Sequence, residues 1–227
     1  GEHWHRWIER RPIQLLVGSA IAILIGGIIE ISPMVMIESN VPKIASVKPY
    51  TPLELHGRDL YIREGCVGCH SQMVRPFRSE TERYGEYSKS GEYIYDRPFL
   101  WGSKRTGPDL HREGGKYPDS WHYNHMVDPQ SMSPGSIMPA YPWLLRDEMD
   151  LGTMPKKIKV LTMLGTPYPE GYEDQAVADA KKQASEVAKR LRNDGVEDDK
   201  LEKRDIVALI AYLQRLGTDI KPKAATN

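Results

Sequence analysis

Cys66-Val67-Gly68-Cys69-His70 holds the chain's only two cysteines and one of its seven histidines. That pentapeptide constrains the fold more than any other stretch. Two thiols and an imidazole so close together have three readings: half of a zinc site, a dithiol redox pair, or a c-type haem attachment box. Zinc wants four nitrogen or sulfur ligands. The only closely spaced histidines downstream, His122 and His125, sit closer together than the usual finger spacing, and His70 fused to Cys69 is awkward as a third ligand. A thioredoxin-like pair belongs at a strand-to-helix junction in a βαβ unit, and no such alternation surrounds this one. In a haem box every residue has a role. Cys66 and Cys69 add across the porphyrin vinyls as thioethers, and His70 becomes the proximal iron ligand. The reading is one covalently attached haem c.

A second feature is the apolar run from Pro12 to Ile37, in which Glu30 is the only charge and Gln14, Ser19 and Ser32 are the only other polar side chains. As a helix it is about 39 Å long, enough for a bilayer core of about 30 Å. Arg6, Arg10 and Arg11 before it resemble the front of a signal peptide, but the run is too long for an ordinary signal. It reads as a permanent anchor. Positive-inside logic puts the N-terminus in the cytoplasm of a bacterial cell and the rest in the periplasm, where haem c is attached. Gly18, Ala22, Gly26 and Glu30 recur every four residues along one face of this helix. Lys+Arg and Asp+Glu balance at 31 each, so no basic field marks a nucleic-acid partner.

The expected organisation is a cytoplasmic N-terminus (1–11), a transmembrane helix (12–37), a linker (38–50), a periplasmic domain (51–218) and a tail (219–227). Insertions are expected at about 71–105 and 150–200. Thr51-Pro52-Leu53-Glu54 has the pattern of a capping box with proline at the first helical position, and the helix it opens leads into the haem box. DIVALIAYLQRLG puts Ile206, Leu209, Ile210 and Leu213 on one face, with Gly217 as its cap. Val177, Ala180, Ala184, Val187 and Leu191 make the narrow stripe of an added surface helix. Most of 71–170 reads as ordered loop, with a small hairpin over Tyr84–Tyr95.

The helix with Gly57 and Tyr61, then CVGCH, Thr106-Gly107-Pro108-Asp109-Leu110, a Met-Pro loop and a last helix with Ala211-Tyr212-Leu213 resembles the class I cytochrome c fold. The fold class is therefore mainly α: a class I cytochrome c domain with loop-rich insertions, tethered by one N-terminal transmembrane helix. The resemblance implies that the first and last helices cross at Gly57, beside Tyr212. It also implies that the Pro108 carbonyl accepts a hydrogen bond from His70, fixing the ring.

A closed sixth position favours electron transfer, an open one oxygen or peroxide chemistry. Of nine methionines, Met34 and Met36 lie in the anchor and Met73 is too close to His70 to reach the opposite haem face. Met138 lies in SPGSIMPAYPW, a loop stiffened by Pro134, Pro139 and Pro142, and is the first choice of distal ligand. Met154 is the second, and His111, His122 and His125 follow, each of which otherwise reads as a surface or hydrogen-bonded residue. Arg75, Arg78 and Arg105 are candidates to meet the haem propionates.

Finally, CVGCHSQMVRPFRSETERYGEYS, DRPFLWGSKRTGPDLHREGGKYPDSWHYNHMVDP and SIMPAYPWL resemble the monohaem cytochrome c subunit of cbb3-type cytochrome c oxidases over most of 1–165 and the final helix. The resemblance implies a non-catalytic electron-transfer subunit. Its electrons would come from a dihaem cytochrome c subunit or a soluble cytochrome and pass to haem b in the large haem–copper oxidase subunit, with membrane lipid around the anchor. The alternatives are the cytochrome c subunit of a nitric oxide reductase, or an anchored haem sensor or peroxidase.

Overall fold

The computed structural model describes residues 4–37 and 42–220, so positions 1–3, linker positions 38–41 and tail positions 221–227 of the expected organisation lie outside the described residues. The chain divides into two units, Gly1–Lys43 and Ile44–Asn227.

The first unit carries α1 (Trp4–Glu9) and α2 (Pro12–Met36). Pro12 starts α2 where a missing N–H matters least. Its 25 residues make a rod about 38 Å long. Ile13, Ile23 and Ile28 are all well exposed, on different sides of the rod. A helix that is apolar all round needs a nonaqueous neighbour on every side. Pro12–Met34 is long and apolar enough to cross a membrane, and none of it is buried.

In the second unit the described helices are α3 (Pro52–Arg63), α4 (Arg78–Tyr84), α5 (Asp119–Val127), α6 (Pro129–Met132), α7 (Met154–Met163), α8 (Tyr172–Asn193) and α9 (Asp205–Arg215). Thr51 and Glu54 form the capping box, with Thr51 N–H donating to the Glu54 carboxylate at 2.8 Å and Glu54 N–H to the Thr51 hydroxyl at 3.3 Å. The crossing of α3 and α9 is the centre of the core. A β-carbon on Gly57 would lie 2.0 Å from the Ala208 carbonyl oxygen and 2.8 Å from Tyr212 Cβ, so only glycine lets the two backbones meet there. Leu53, Leu60, Ile206, Leu209 and Ile210 are fully buried around that point. Tyr212 packs between Tyr50 and Tyr61, with ring centroids 5.8 and 5.6 Å away.

α8 lies against α3, α7 and α9. Its buried stripe is Ala176, Ala180, Ala184, Val187, Ala188 and Leu191, so Ala176, with Val177 only partly covered, opens the stripe. Alanine at every fourth position lets the neighbouring backbones approach closely. α7 and α5 occupy sequence expected to be loop. Pro155, which looks like a helix breaker, sits in the first turn of α7, where proline is tolerated.

Among the described residues no strand forms; only an isolated bridge joins Glu148 and Arg204. The hairpin expected over 84–95 is absent. α4 ends at Tyr84, Gly85 turns the chain at φ +107°, and Ser90–Tyr93 form a single 3-10 turn. The Arg112 guanidinium takes the carbonyls of Glu86 (2.9 Å) and Tyr87 (3.2 Å), which a second strand would otherwise have bonded.

Candidate functional site

The chain leaves α3 through Gly65, whose φ of +74° suits glycine. Cys66–Gly68 then make one 3-10 turn, and both Cys69 N–H (3.1 Å) and His70 N–H (2.9 Å) bond to the Cys66 carbonyl. This turn presents Cys66, Cys69 and His70 to one cavity of about 480 Å³, within the roughly 300–1,000 Å³ of ligand sites.

Residues 105–111 clamp the turn from one side. Gly107 N–H bonds the Cys69 carbonyl at 3.0 Å and Leu110 N–H the Ser71 carbonyl at 2.9 Å. The buried Asp109 carboxylate accepts from the Ser71 hydroxyl (2.7 Å) and from the backbone N–H of Met73 (2.8 Å) and His111 (2.9 Å). Arg105 donates to the Ser71 hydroxyl at 2.7 Å and the Met73 carbonyl at 2.8 Å. The Pro108 carbonyl lies 2.8 Å from His70 Nδ1. A carbonyl only accepts, so the proton sits on Nδ1 and Nε2 keeps its lone pair for a metal. A β-carbon on Gly107 would fall 2.2 Å from His70 Cε1, so glycine is what lets the ring lie here. Burial holds the His70 pKa below its usual value, against the pull of the Pro108 bond, and the ring is neutral at pH 7.

The other side of the cavity is a loop. Pro134 and Gly135 form a turn closed by Ser136 N–H to the Ser133 carbonyl at 3.0 Å, with Gly135 at φ +81°. The Ser136 hydroxyl accepts from Met138 N–H at 3.2 Å, and Tyr141 N–H bonds the Met126 carbonyl at 2.9 Å. Between these two ties Met138 lines the cavity, half-buried, while its neighbour Ile137 is exposed.

Cys66, Cys69, His70, Pro108 and Met138 therefore surround one cavity, although they come from three separate segments. Met154 does not line it; its side chain is buried in the core at the start of α7. Nor does His111, which bonds Ser88 and Tyr93 and stacks on Tyr93. His122 and His125 do line it, and so does Met126, which the sequence reading passed over. Arg75, Arg78 and Arg105 are engaged elsewhere, with Glu80, Glu82 and Asp109, and none lines the cavity. The reading also missed Asp109. Its signal was legible: an aspartate after proline whose carboxylate caps the N–H two residues on.

The chemistry of the donor set fits a haem c. Leu110, Leu209, Leu213 and Tyr61 give apolar walls, two thiols stand together, and an imidazole nitrogen and a thioether are available as soft and borderline iron ligands. The rival readings fit less well. Burial, helped by the Glu64 carboxylate, pushes the Cys66 thiol up to about 12, which suits no redox dithiol. Among the described residues no three His, Cys, Asp or Glu side chains converge as a metal site, which argues against zinc.

The family model described as cytochrome c oxidase, mono-heme subunit/FixO matches residues 5–220. No curated protein matches the chain.

Proposed function

The chain belongs to the FixO family of mono-haem cytochrome c oxidase subunits, and from that premise we propose that it is the electron-transfer subunit that feeds the large haem–copper subunit of a cbb3-type oxidase. Its haem supplies a one-electron ferric/ferrous couple. Cys66 and Cys69 hold that group covalently, His70 is its proximal ligand and Met138 its distal one. Pro108 fixes the His70 ring and raises its basicity. The α3–α9 pair keeps water from the buried face of the cavity. With the sixth position filled by a thioether, nothing in this chain activates oxygen, and that chemistry belongs to the partner.

Electrons enter from a dihaem cytochrome subunit or a soluble cytochrome and leave to haem b. Residues 12–37 form a single-pass anchor with the N-terminus in the cytoplasm, as the arginines before it favour. Residues 51–218 then form a periplasmic domain. The observation that carries this reading is the convergence of Cys66, Cys69, His70 and Met138 on one cavity. Met126 shares that cavity, but it is a core residue on α5, whereas Met138 sits in a loop tied on both sides.

The test is to purify the full chain from membranes under mild detergent. Haem that stays with the chain after denaturation, together with co-purification of a copper-containing large subunit, is the expected result. Rapid mixing with a reduced donor cytochrome should then show haem c reduced before haem b. Haem released by acid–acetone extraction, or a large partner that holds no copper, contradicts the proposal.

A further inference from the structure

The cavity contains two polar atoms that the reading above leaves without a task. His122 Nε2 and His125 Nδ1 are buried and have no hydrogen-bond partner. Both side chains line the cavity, and they stand three residues apart on α5, on one face of that helix. His122 is only 2 % exposed. A buried ring nitrogen left unpaired is strongly unfavourable, so these two call for a polar group that the polypeptide itself does not supply.

Their aim is fixed by packing. His125 stacks on Trp121 (4.6 Å, 12°), which stacks in turn on Tyr117 (4.1 Å, 14°), and His122 stands edge-on to Trp121 (5.4 Å, 90°). The start of α5 is tied to α8 and α9, because Asp119 accepts from Arg190 at 2.7 Å and from Gln214 at 2.9 Å. This tie gives α8 a use beyond covering the core. Burial pushes the His122 pKa down to about 4 and lowers that of His125, so both rings are neutral and each has one N–H to give.

A haem carries polar character at its iron and at its propionates. With the iron assigned to His70 and Met138, the propionates remain, and the arginines that might have met them do not reach the cavity. We propose that His122 and His125 are haem-positioning residues, donating Nε2–H and Nδ1–H hydrogen bonds to the propionates. The proposal rests on haem occupying this cavity.

The test uses the haem-loaded full chain and four variants: His122→Leu and His125→Leu, which remove the donors, and His122→Gln and His125→Asn, which keep an N–H near the same position. Resonance Raman should show the propionate bending modes shifted in both leucine variants and restored in the amide variants, with the six-coordinate low-spin spectrum unchanged in all. The reduction potential should fall in the leucine variants, because a propionate stripped of its donor favours ferric iron. Unmoved propionate modes and potential in leucine variants that still hold haem would overturn the proposal. So would loss of the six-coordinate spectrum, which would make a histidine the iron ligand. If a leucine variant does not fold, ¹⁵N-histidine NMR of the wild-type chain decides: a protonated His122 Nε2 and His125 Nδ1 support the proposal, and unprotonated ones refute it. A wild-type chain without covalent haem would instead sink the haem site itself.

Discussion

The two sides of the cavity are built to different standards. On the His70 side, residues 105–111 are laced to the haem box by backbone bonds, by the buried Asp109 carboxylate and by a glycine contact on the ring itself. On the Met138 side, a proline-stiffened loop is tied by a turn and single hydrogen bonds, with Pro134, Gly135, Ile137 and Pro139 exposed. One side is an interior made of polar bonds, and the other is a surface made stiff by proline. The attachment side has to place two sulfurs and a ring together, so it tolerates little slack. The loop has to place a single thioether, whose three rotatable bonds absorb small errors.

The comparison breaks hardest at Gly107. A methyl there must displace the His70 ring, and Gly107→Ala should destabilise the holoprotein by about 3 kcal/mol, at the upper end for overpacking, with much less haem attached; urea unfolding and a haem stain of the denatured chain measure both. An equal haem yield from the variant would mean that the ring has room to spare. Asp109→Ala comes next. It strands the N–H groups of Met73 and His111 and removes the acceptor of Ser71, and should cost about 2–3 kcal/mol, again read by urea.

Acid tests the same side more gently. Hydrogen bonding from Arg105 first, against the opposing effect of burial and with help from Arg75, holds the Glu80 carboxyl down to about 2, from an ordinary 4.5. A carboxylate with a lowered folded pKa stabilises the fold above its unfolded value and loses that contribution as pH falls through the folded one. Stability should therefore decline between about pH 4.5 and 2, and Glu80→Gln should flatten that part of the profile; an unchanged profile would put the acid sensitivity elsewhere. The smallest effect belongs to the loop. Ser136→Ala removes the bond to Met138 N–H, and about 1 kcal/mol or less is expected, with haem content intact. A large loss of haem there would erase the contrast between the two sides.

Much of the frame was readable because its signals are local. The capping box at Thr51 and the apolar face of α9 are written within a few residues, and the haem box is a pentapeptide. The Gly57 crossing came from resemblance, since nothing local says which backbone a glycine will meet. α5 was hidden because DSWHYNHMV has no apolar period, only aromatic and histidine side chains that acquire meaning once a cavity stands beside them. His122 and His125 look like surface residues for the same reason. Arg105 was read as a partner for the haem because an arginine near a haem box invites it, but Glu80 and Asp109 lie closer. Choosing among methionines needed the fold as well: Met154 is excluded by burial in the core, and Met126 enters from a helix that the sequence did not announce.

The central claim is that Met138 sulfur closes the haem opposite His70. The direct measurement is the near-infrared sulfur-to-ferric-iron charge-transfer band of the oxidised full chain, compared with that of Met138→Ala. The account predicts the band in the wild type and its loss in the variant, with haem still covalently held by Cys66 and Cys69 and a lowered reduction potential. A band that survives in Met138→Ala, and disappears instead in Met126→Ala, would contradict it.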